Sequence, residues 1–407
     1  MFYWTLPLRN IFRRPGRTLV TLAAIAFGSV ALIFAGGFID DSLVQLRESY
    51  IRSQFGHLQI FQKGYLRYGA ARPFAYLLKN HNRVMDVVLA HPDVDIVTPR
   101  IEFAGLISRG ETSVSFVGQG VNPRGESKMN TMFRIEAGKN LQAKDKFQVV
   151  MGRGLAASLS AKPGDTAVIV ANTVRGSVNA LDVTVKGIFS TSAKAFDDHV
   201  LRVPFSTAAK LLYTGEVQSL IVLLKDTSKT RSVRRDLEKL FKSRGYATEI
   251  QSWEDLADVY NNSRDFLNRQ MGILRWIILI VSVLSVVNTA NMAVLERVGE
   301  IGTMRAMGTS RWKVMAVFIM EGLLLGLMGG ALGALAGVGV ARWVSHFGIP
   351  MPPPPGSTME WVAHIRLVPR VFAQAFAIAV GSSFFSILYP SWKASRLEVA
   401  EALRHQV

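Results

Sequence analysis

Residues 276–295 read WIILIVSVLSVVNTANMAVL and contain no Asp, Glu, Lys or Arg. A helix needs about 20 mostly apolar residues to cross the hydrocarbon core of a bilayer. Three further stretches of similar length, 18–39, 322–341 and 371–392, also lack charged residues. The sequence therefore predicts an integral membrane bundle of four transmembrane α-helices. Residues 40–275 have the composition of a soluble protein. The predicted fold therefore includes a large domain between helices 1 and 2, and the patterns described below predict that it is an extracytoplasmic α/β domain.

Basic residues flanking the four stretches predict the orientation of the chain in the membrane. Short cytoplasmic segments carry an excess of Lys and Arg, whereas long translocated domains are exempt from this rule. The basic residues of the three short segments are Arg9, Arg13, Arg14 and Arg17, then Arg297, Arg305, Arg311 and Lys313, and finally Lys393, Arg396 and Arg404. All three short segments are therefore predicted to be cytoplasmic.

These assignments give the predicted domain organisation. In chain order it comprises a cytoplasmic N-terminus (1–17), the first span (18–39), an extracytoplasmic α/β domain with helical stalks (40–272), the second span (273–295), a cytoplasmic segment (296–313), the third span (314–341), an extracytoplasmic loop (342–370), the fourth span (371–392) and a cytoplasmic tail (393–407). The uncharged first stretch is longer than the apolar core of a secretory signal peptide, so we expect an uncleaved anchor.

Charge and cysteine content limit the partners and the chemistry. The 407-residue chain has a formal net charge of +17 and no cysteine. Such a chain could bind nucleic acid, but most of its basic residues lie in the predicted outer segment. We therefore expect membrane lipids with anionic head groups as partners and no nucleic acid. Without cysteine, the outer domain must be held together by its own apolar core rather than by disulfides.

The outer segment alternates between strand and helix patterns, which predicts a mixed α/β domain in two lobes. Predicted strands include 94–100, 103–108, 112–121 and 219–224. The first span is predicted to continue as a helix over 40–55. Ser252, followed three residues later by Asp255, has the pattern of a helix N-cap. With no Pro and a single Gly after it, one long helix is predicted over 253–295.

The segment 296–313 reads ERVGEIGTMRAMGTSRWK. Val298, Ile301 and Met304 recur at helical spacing, with Met307 following, which predicts a short amphipathic helix on the cytoplasmic side. Such a helix can lie on the lipid surface or dock in a groove of a partner. Methionine suits an adaptable groove contact. On the residues alone, docking and a plain connecting loop both remain open.

The pattern Glu296-Arg-x-x-Glu-Ile-Gly-x-x-Arg-Ala-x-Gly308 resembles the coupling loop of the FtsX/MacB/LolC-E family of ABC transporter permeases. The tail 390–404, PSWKASRLEVAEALR, is similar to the end of that family's last span, with Glu398-Val399 where the family usually has Asp-Pro. Four outer motifs also occur in the family's order, namely GRGLA at 152–156, PGD at 163–165, VKGIF at 185–189 and VPFSTA at 203–208. We call residues 296–313 the coupling segment.

The resemblance implies a permease subunit that is not itself an enzyme. It implies that a separate cytoplasmic ATPase binds ATP and Mg²⁺, and that this chain holds no cofactor. The residues that it assigns to ATPase coupling are Glu296, Arg297, Glu300, Ile301, Met304, Arg305, Met307 and Gly308. It also implies a dimer, formed with a second permease copy or a paralogue, in the bacterial inner membrane.

The resemblance further implies mechanotransmission, in which movement of the coupling segment shifts the outer domain. The implied function is lipoprotein release or export of another periplasmic substrate, with a lipoprotein, a periplasmic carrier or an adaptor as a further partner. The alternative is a membrane receptor with an extracytoplasmic ligand-binding domain. Co-purification separates the two, because a receptor needs no ATPase subunit.

Two patterns concern the spans themselves. Five glycines at small-residue spacing in the third span predict close helix packing; they are Gly322, Gly326, Gly329, Gly333 and Gly337. Glu321 is the one acidic residue within a span region, and an intramembrane carboxylate needs a partner. We predict that Glu321 forms a polar network with Asn288 and Asn291 of the second span.

Apparent catalytic and metal patterns are incomplete. Residues 120–127, GVNPRGES, have the glycine spacing of a P-loop but place Glu126 where the motif requires Lys. Asp197-Asp198-His199 has no second cluster to complete a metal site, so a turn is predicted there. The sequence therefore predicts no catalytic, cofactor-binding or metal-binding residues in this chain.

Overall fold

The computed structural model describes residues 13, 15–69, 71–129, 133–191, 193–352 and 360–396. Arg9, Arg14, the proline-rich residues 353–356 and the family-like tail beyond residue 396 lie outside the described residues. The chain divides into two compact units. We call them the membrane unit (Met1–Val44, Asn262–Pro350 and Val362–Val407) and the outer unit (Gln45–Asn261 and Met351–Trp361).

The described helices are α1 (Pro15–Tyr50), α2 (Tyr65–Tyr68), α3 (His81–Leu89), α4 (Pro123–Met129), α5 (Arg153–Ser158), α6 (Lys194–His199), α7 (Phe205–Leu212), α8 (Thr230–Ser243), α9 (Trp253–Leu256), α10 (Asp258–Glu296), α11 (Val298–Ala306), α12 (Arg311–Phe347) and α13 (Pro369–Ser395). A π-helical turn, Ile51–Phe55, follows α1 directly. In the described part of the chain, α1 with its π turn, α10, α12 and α13 are long and apolar enough to cross a membrane. These are the four predicted spans.

The strands of the outer unit are β1 (Leu58–Gln62), β2 (Val94–Arg109), β3 (Thr112–Val121), β4 (Arg134–Gly138), β5 (Gln148–Gly152), β6 (Thr166–Asn172), β7 (Val178–Ser190), β8 (Val200–Pro204), β9 (Ser219–Leu224) and β10 (Thr248–Ser252). Two short strands, β11 (Ile349–Met351) and β12 (Trp361–Ala363), lie between α12 and α13. The sheet order is β10-β1-β9-β2-β3-β8-β5-β7-β4, and β6 pairs with both β2 and β7.

That pairing closes six strands, β2, β3, β8, β5, β7 and β6, into a barrel. Closure removes exposed strand edges, which otherwise invite pairing with other chains. Alternate residues of each strand fill the interior, among them Ile101 and Phe103 of β2 and Leu201 and Val203 of β8. This interior is the largest of the apolar clusters found among the described residues of the outer unit.

The second core lies beside the barrel, where β9, β1 and β10 extend the sheet from the N-terminal half of β2. Helices α3 and α8 supply its other side: Val84 and Val88 come from α3, and Val233, Leu237 and Phe241 from α8. Their spacing of three or four residues places them on one face of each helix. The predicted two-lobed α/β domain therefore consists of a barrel lobe and a helix-covered sheet lobe.

Two predicted boundaries in the outer unit are wrong. Residues 94–100 and 103–108 are parts of the single strand β2, because Ile101 and Glu102 continue the pairing with Gly120 and Gln119 of β3. The helix predicted over 253–295 is interrupted after α9.

The interruption lies at Ala257, which leaves helical geometry at φ −95° and ψ 63°. Ser252 and Asp255 form the predicted capping box at the start of α9. Trp253 is buried and packs edge-on against Tyr260 with ring centroids 5.0 Å apart. Local propensity favours an unbroken helix, but the burial of this aromatic pair outweighs it.

The glycines of α12 lie at two helix contacts of the membrane unit. A Cβ atom added at Gly322 would lie 2.9 Å from Ile387 Cβ of α13, and one at Gly326 would lie 2.8 Å from Ser383 Cβ. Gly329, Gly333 and Gly337 face Ile25, Ser29 and Ile33 of α1 in the same way. Helix α12 therefore uses small residues on two faces to approach α1 and α13 closely.

Candidate functional site

The coupling segment folds as the helix α11 and a turn that joins it to α12. Gly308 ends the helix with φ +86°, which is a left-handed conformation that glycine adopts without a Cβ clash. Its N–H donates to Arg305 O at 3.1 Å, and Thr309 N–H donates to Met304 O at 3.0 Å. These are the two hydrogen bonds of a Schellman motif. Gly308 is thus explained by the geometry of the turn.

One face of α11 packs into the membrane unit. Ile301 is 1% exposed and lies among Val294, Val314 and Phe318, and Met304 packs against the same cluster. These two residues were assigned to ATPase coupling, but burial prevents Ile301 from contacting a partner directly. The amphipathic period is present, but its apolar face binds the chain's own helices.

Other side chains of the coupling segment are exposed. Met307 is 79% exposed and Trp312 is 77% exposed, although both are large and apolar. Thr303 and Ala306 are exposed on α11 as well. Exposed aromatic and Met side chains are typical of the centre of a protein contact. Trp312 lies in the coupling segment but was not among the residues predicted to couple to the ATPase.

Ion pairs join the coupling segment to α1. Arg13 Nη1 donates to Glu300 Oε1 at 2.9 Å, and Arg17 holds Glu296 through both guanidinium nitrogens, one of them at 2.7 Å from Oε2. The two arginines were predicted only to mark topology, and this pairing was not predicted. In the structure Glu296 is the last residue of α10 and Glu300 lies on α11, so the break at Arg297 separates the two glutamates.

A third ion pair joins the coupling segment to α12 and involves Glu321. Arg297 Nη1 donates to Glu321 Oε2 at 3.1 Å, and both side chains are largely buried. The structure thus gives Glu321 a charged partner that was not predicted, and the network with Asn288 and Asn291 stays a prediction. Asn288 is exposed, and a guanidinium compensates a buried carboxylate better than a neutral amide does.

The remaining sequence patterns have structural roles. Glu126 lies on α4 and is buried against arginines, so residues 120–127 form the end of a strand and a helix rather than a phosphate-binding loop. The Asp197 carboxylate accepts hydrogen bonds from the Thr191 N–H at 3.0 and 2.9 Å and from its hydroxyl at 2.8 Å. Within the described ranges, no group of three His, Cys, Asp or Glu side chains could hold a metal ion.

A membrane unit with four helices of membrane-spanning length and a barrel-containing outer unit define a multi-pass membrane protein with a large domain outside the bilayer. Residues 18–240 match the MacB-like periplasmic core domain, and residues 272–399 match the FtsX-like permease C-terminal family. The chain belongs to the FtsX/MacB/LolC family of ABC transporter permeases. Members are non-catalytic transmembrane subunits, and membership implies an ATPase partner and an extracytoplasmic position for the outer unit.

Relatives of known name cover most of the chain. The lipoprotein-releasing system transmembrane protein LolC of Neisseria meningitidis is 25% identical over 96% of this chain and 94% of its own length. LolC of Xylella fastidiosa is 25% identical over 79% and 80%. The macrolide export ATP-binding/permease protein MacB of Bdellovibrio bacteriovorus is 26% identical over 56% of this chain and 35% of its own. The solved periplasmic region of MacB from Actinobacillus actinomycetemcomitans aligns with 52% of this chain and 96% of its own at 17% identity and a TM-score of 0.38.

Proposed function

We propose that this chain is the membrane subunit of a bacterial inner-membrane transporter in which a separate ATPase docks on the coupling segment and drives movement of the outer domain. The division of the coupling segment into two faces carries this proposal. Ile301 anchors α11 in the membrane unit, while Met307 and Trp312 remain exposed. A partner that moves the exposed face would therefore also move the helices to which α11 is attached. ATP and Mg²⁺ would be bound by that partner.

Long helices offer a path for the movement. Helix α1 has 36 residues and is therefore about 54 Å long, and α10 has 39 residues and is about 58 Å long. The hydrocarbon core takes up only about 30 Å. Each helix therefore extends well beyond the bilayer without a break. A continuous helix transmits displacement, whereas a flexible linker absorbs it.

Lipoprotein release is the activity that we propose for the complex. LolC of Neisseria meningitidis and LolC of Xylella fastidiosa align over 94% and 80% of their own length, whereas MacB of Bdellovibrio bacteriovorus aligns over 35% of its length. MacB is named as an ATP-binding/permease protein. For this chain we expect the ATP-binding part to be a separate subunit. The chain therefore aligns with a larger share of these two LolC relatives than of this MacB. A second copy or a paralogue would complete the permease dimer.

Docking is tested by exchanging the exposed tryptophan of the coupling segment. We would purify the tagged full-length chain from its native host with Trp312→Ala or with Trp343→Ala as a matched control. Both tryptophans are exposed and lie on α12, one at each end. An ATPase should co-purify with wild type and with Trp343→Ala and should be reduced with Trp312→Ala. Absence of any ATPase from the wild-type complex would contradict the proposed function and favour the receptor alternative.

The substrate is tested with the reconstituted complex. Proteoliposomes containing the complex and an acylated lipoprotein should release the lipoprotein in an ATP-dependent manner when a soluble periplasmic carrier fraction is supplied. The unacylated form of the same protein should neither be retained nor stimulate ATP hydrolysis. If macrolides stimulate hydrolysis and the lipoprotein does not, the activity is export of small molecules rather than lipoprotein release.

A further inference from the structure

A row of polar side chains crosses three adjacent strands of the outer unit. Glu102 of β2 lies opposite Gln119 of β3, and Gln119 lies opposite Arg202 of β8. The neighbours of Glu102 and of Arg202 along their strands belong to the barrel core, so the row lies on the opposite face of the sheet. It is nevertheless buried: Gln119 is 4% exposed and Arg202 is 2% exposed. Arg202 Nε donates to Gln119 Oε1 at 2.9 Å.

Two arginines of this face share one carboxylate. Arg100 Nη2 donates to Glu126 Oε1 at 2.8 Å, and Arg202 Nη1 lies 3.5 Å from Glu126 Oε2. The Arg202 guanidinium also stacks 4.7 Å from the centre of the Phe133 ring. Burial lowers the pKa of Arg202 to about 10, with Glu126 opposing that shift. The arginine therefore stays charged at neutral pH.

Both arginines also bind the end of α1. Arg100 Nη1 donates to Gln54 O at 2.5 Å, and Arg202 Nη2 donates to Ser53 O at 3.0 Å. Ser53 and Gln54 belong to the π-helical turn that follows α1. The last carbonyl groups of a helix lack partners within the helix and carry its partial negative charge. Two buried guanidinium groups thus cap the C-terminal end of α1.

We propose that Arg100, Arg202 and Glu126 are positioning residues that fix the end of α1 to the outer domain, so that a displacement of α1 moves both lobes together. This inference rests on the proposed function, in which α1 carries the displacement. Glu126 holds the two guanidinium groups in place, and the guanidinium groups hold the carbonyls. The three residues come from β2, β8 and α4, so the attachment spreads over three elements.

The position of the attachment explains why both lobes would respond. Strand β2 contributes Val94 and Val97 to the core of the sheet lobe and Ile101 and Phe103 to the core of the barrel lobe. Arg100 lies between these two sets, at the point where the strand passes from one core to the other. A force applied there acts on β2, which contributes residues to both cores.

Stability alone is a poor reason for this cluster. Replacing a buried ion-pair triad by apolar residues of similar volume is often neutral or stabilising. Three buried polar atoms beside the cluster also have no hydrogen-bond partner among the described residues: Arg100 Nε, Gln54 Nε2 and Thr98 Oγ1. Such unsatisfied groups cost stability. Stability therefore does not explain why these three charged residues are buried here. The need to hold the end of α1 in a defined position does explain it.

The attachment is measured first without ATP. Because the chain has no cysteine, Leu46→Cys on α1 and Val178→Cys on the barrel lobe introduce two unique spin-label sites in the full-length protein. The distance distribution between the labels should be narrow in this background and should broaden with Arg202→Met. Arg202→Lys, which keeps the charge but loses the planar fork, should broaden it less. Asp145→Asn is the matched control, because it breaks the buried Lys186–Asp145 pair within the same domain.

A second measurement uses the complex with its ATPase. Arg202→Met should keep the rate of ATP hydrolysis within about twofold and lower ATP-dependent substrate release by about tenfold. Asp145→Asn should retain both. If Arg202→Met leaves the distance distribution narrow and release intact, the inference is overturned while the proposed function stands. If no ATPase binds the wild-type protein, the proposed function fails, and the label distances still decide whether Arg202 fixes the end of α1.

Discussion

The two ends of α1 are both held by arginines, but in opposite ways. At its beginning, the arginines belong to the helix side: Arg17 of α1 and Arg13, just before α1, pair with glutamates of the coupling segment, and the side chains in these pairs are 26% to 63% exposed. After its end, the π turn supplies carbonyl groups to Arg100 and Arg202 of the barrel, whose side chains are 2% exposed.

The difference in burial predicts a difference in behaviour. Exposed ion pairs contribute about 0–1 kcal/mol and are screened by salt, so they can form and break during a transport cycle. Removing one partner of a buried pair lowers the free energy of unfolding by several kcal/mol, because the other charge remains buried without compensation. One end of α1 is therefore suited to exchange partners, and the other is suited to stay attached.

The largest effect is expected at the buried end. Glu126→Ala would leave Arg100 and Arg202 without their carboxylate and should lower the free energy of unfolding of the outer domain by about 3–5 kcal/mol. Glu136→Ala, which removes the exposed partner of Arg153, should cost about 0–1 kcal/mol. Denaturant unfolding of the full-length chain in detergent measures both. Equal effects of the two variants would show that burial does not separate the two kinds of pair.

The Arg297–Glu321 pair tests whether the strength of an ion pair depends on its burial or on its place in the molecule. Arg297 belongs to the coupling segment, as Glu296 and Glu300 do, but this pair is largely buried. Arg297→Ala should destabilise the membrane unit by about 3 kcal/mol, since it removes the guanidinium partner of a carboxylate within a span region. Adding Glu321→Gln should recover most of this loss. Thermal unfolding of the single and double variants gives the comparison. No recovery in the double variant would mean that Arg297 acts through packing rather than through Glu321.

Acid should weaken the outer end of α1. His57 follows the π turn, its Nδ1 accepts the Leu224 N–H at 3.0 Å, and burial lowers its pKa to about 4 from 6.5. Glu48 and Asp226 oppose this shift, and Arg52 and Arg47 reinforce it. Between pH 6.5 and 4 the unfolded chain binds the proton and the folded chain does not, so stability falls as the pH falls.

The expected loss is about 2 kcal/mol between pH 7.5 and pH 5. Denaturant midpoints of the outer domain at the two pH values measure it. His57→Gln should be less stable at pH 7.5 but should lack most of this pH dependence. An unchanged pH dependence in His57→Gln would assign the effect to other groups.

The glycines of α12 allow a smaller test of how α1 is held along its length. Gly333→Ala would place a methyl group 2.5 Å from Ser29 Cβ and 2.9 Å from Ala26 O of α1, and should cost about 1–2 kcal/mol. Gly339→Ala on the same helix meets nothing within 4 Å and should be neutral or slightly stabilising. Thermal unfolding in one detergent compares them. A neutral Gly333→Ala would mean that α1 can shift away from α12 at little cost.

These comparisons also show where sequence reasoning works. The four spans were predictable from their lack of charged residues. Strand 112–121 was predictable from its alternation of side chains, and strand 219–224 from its run of apolar residues. All three are local signals. Two pairings were not predicted: Arg100 with Glu126, and Arg297 with Glu321. In each pair the two residues are distant in sequence. A single sequence shows that a buried charge needs a partner, but only the fold shows which residue provides it.

The smallest effect is expected at the exposed end of α1. Exchanging the charges one at a time, with Arg13→Glu or Glu300→Arg, should change the free energy of unfolding by less than about 1 kcal/mol. The double exchange should restore the attraction, and the whole effect should disappear in about 1 M salt, where screening acts over roughly 3 Å. The more informative readout is ATPase co-purification: each single exchange should lower it at low salt, and the double exchange should recover it. If the double exchange fails to recover binding, Glu300 contacts the ATPase itself, and the exposed pair is part of the docking surface rather than a link between α11 and α1.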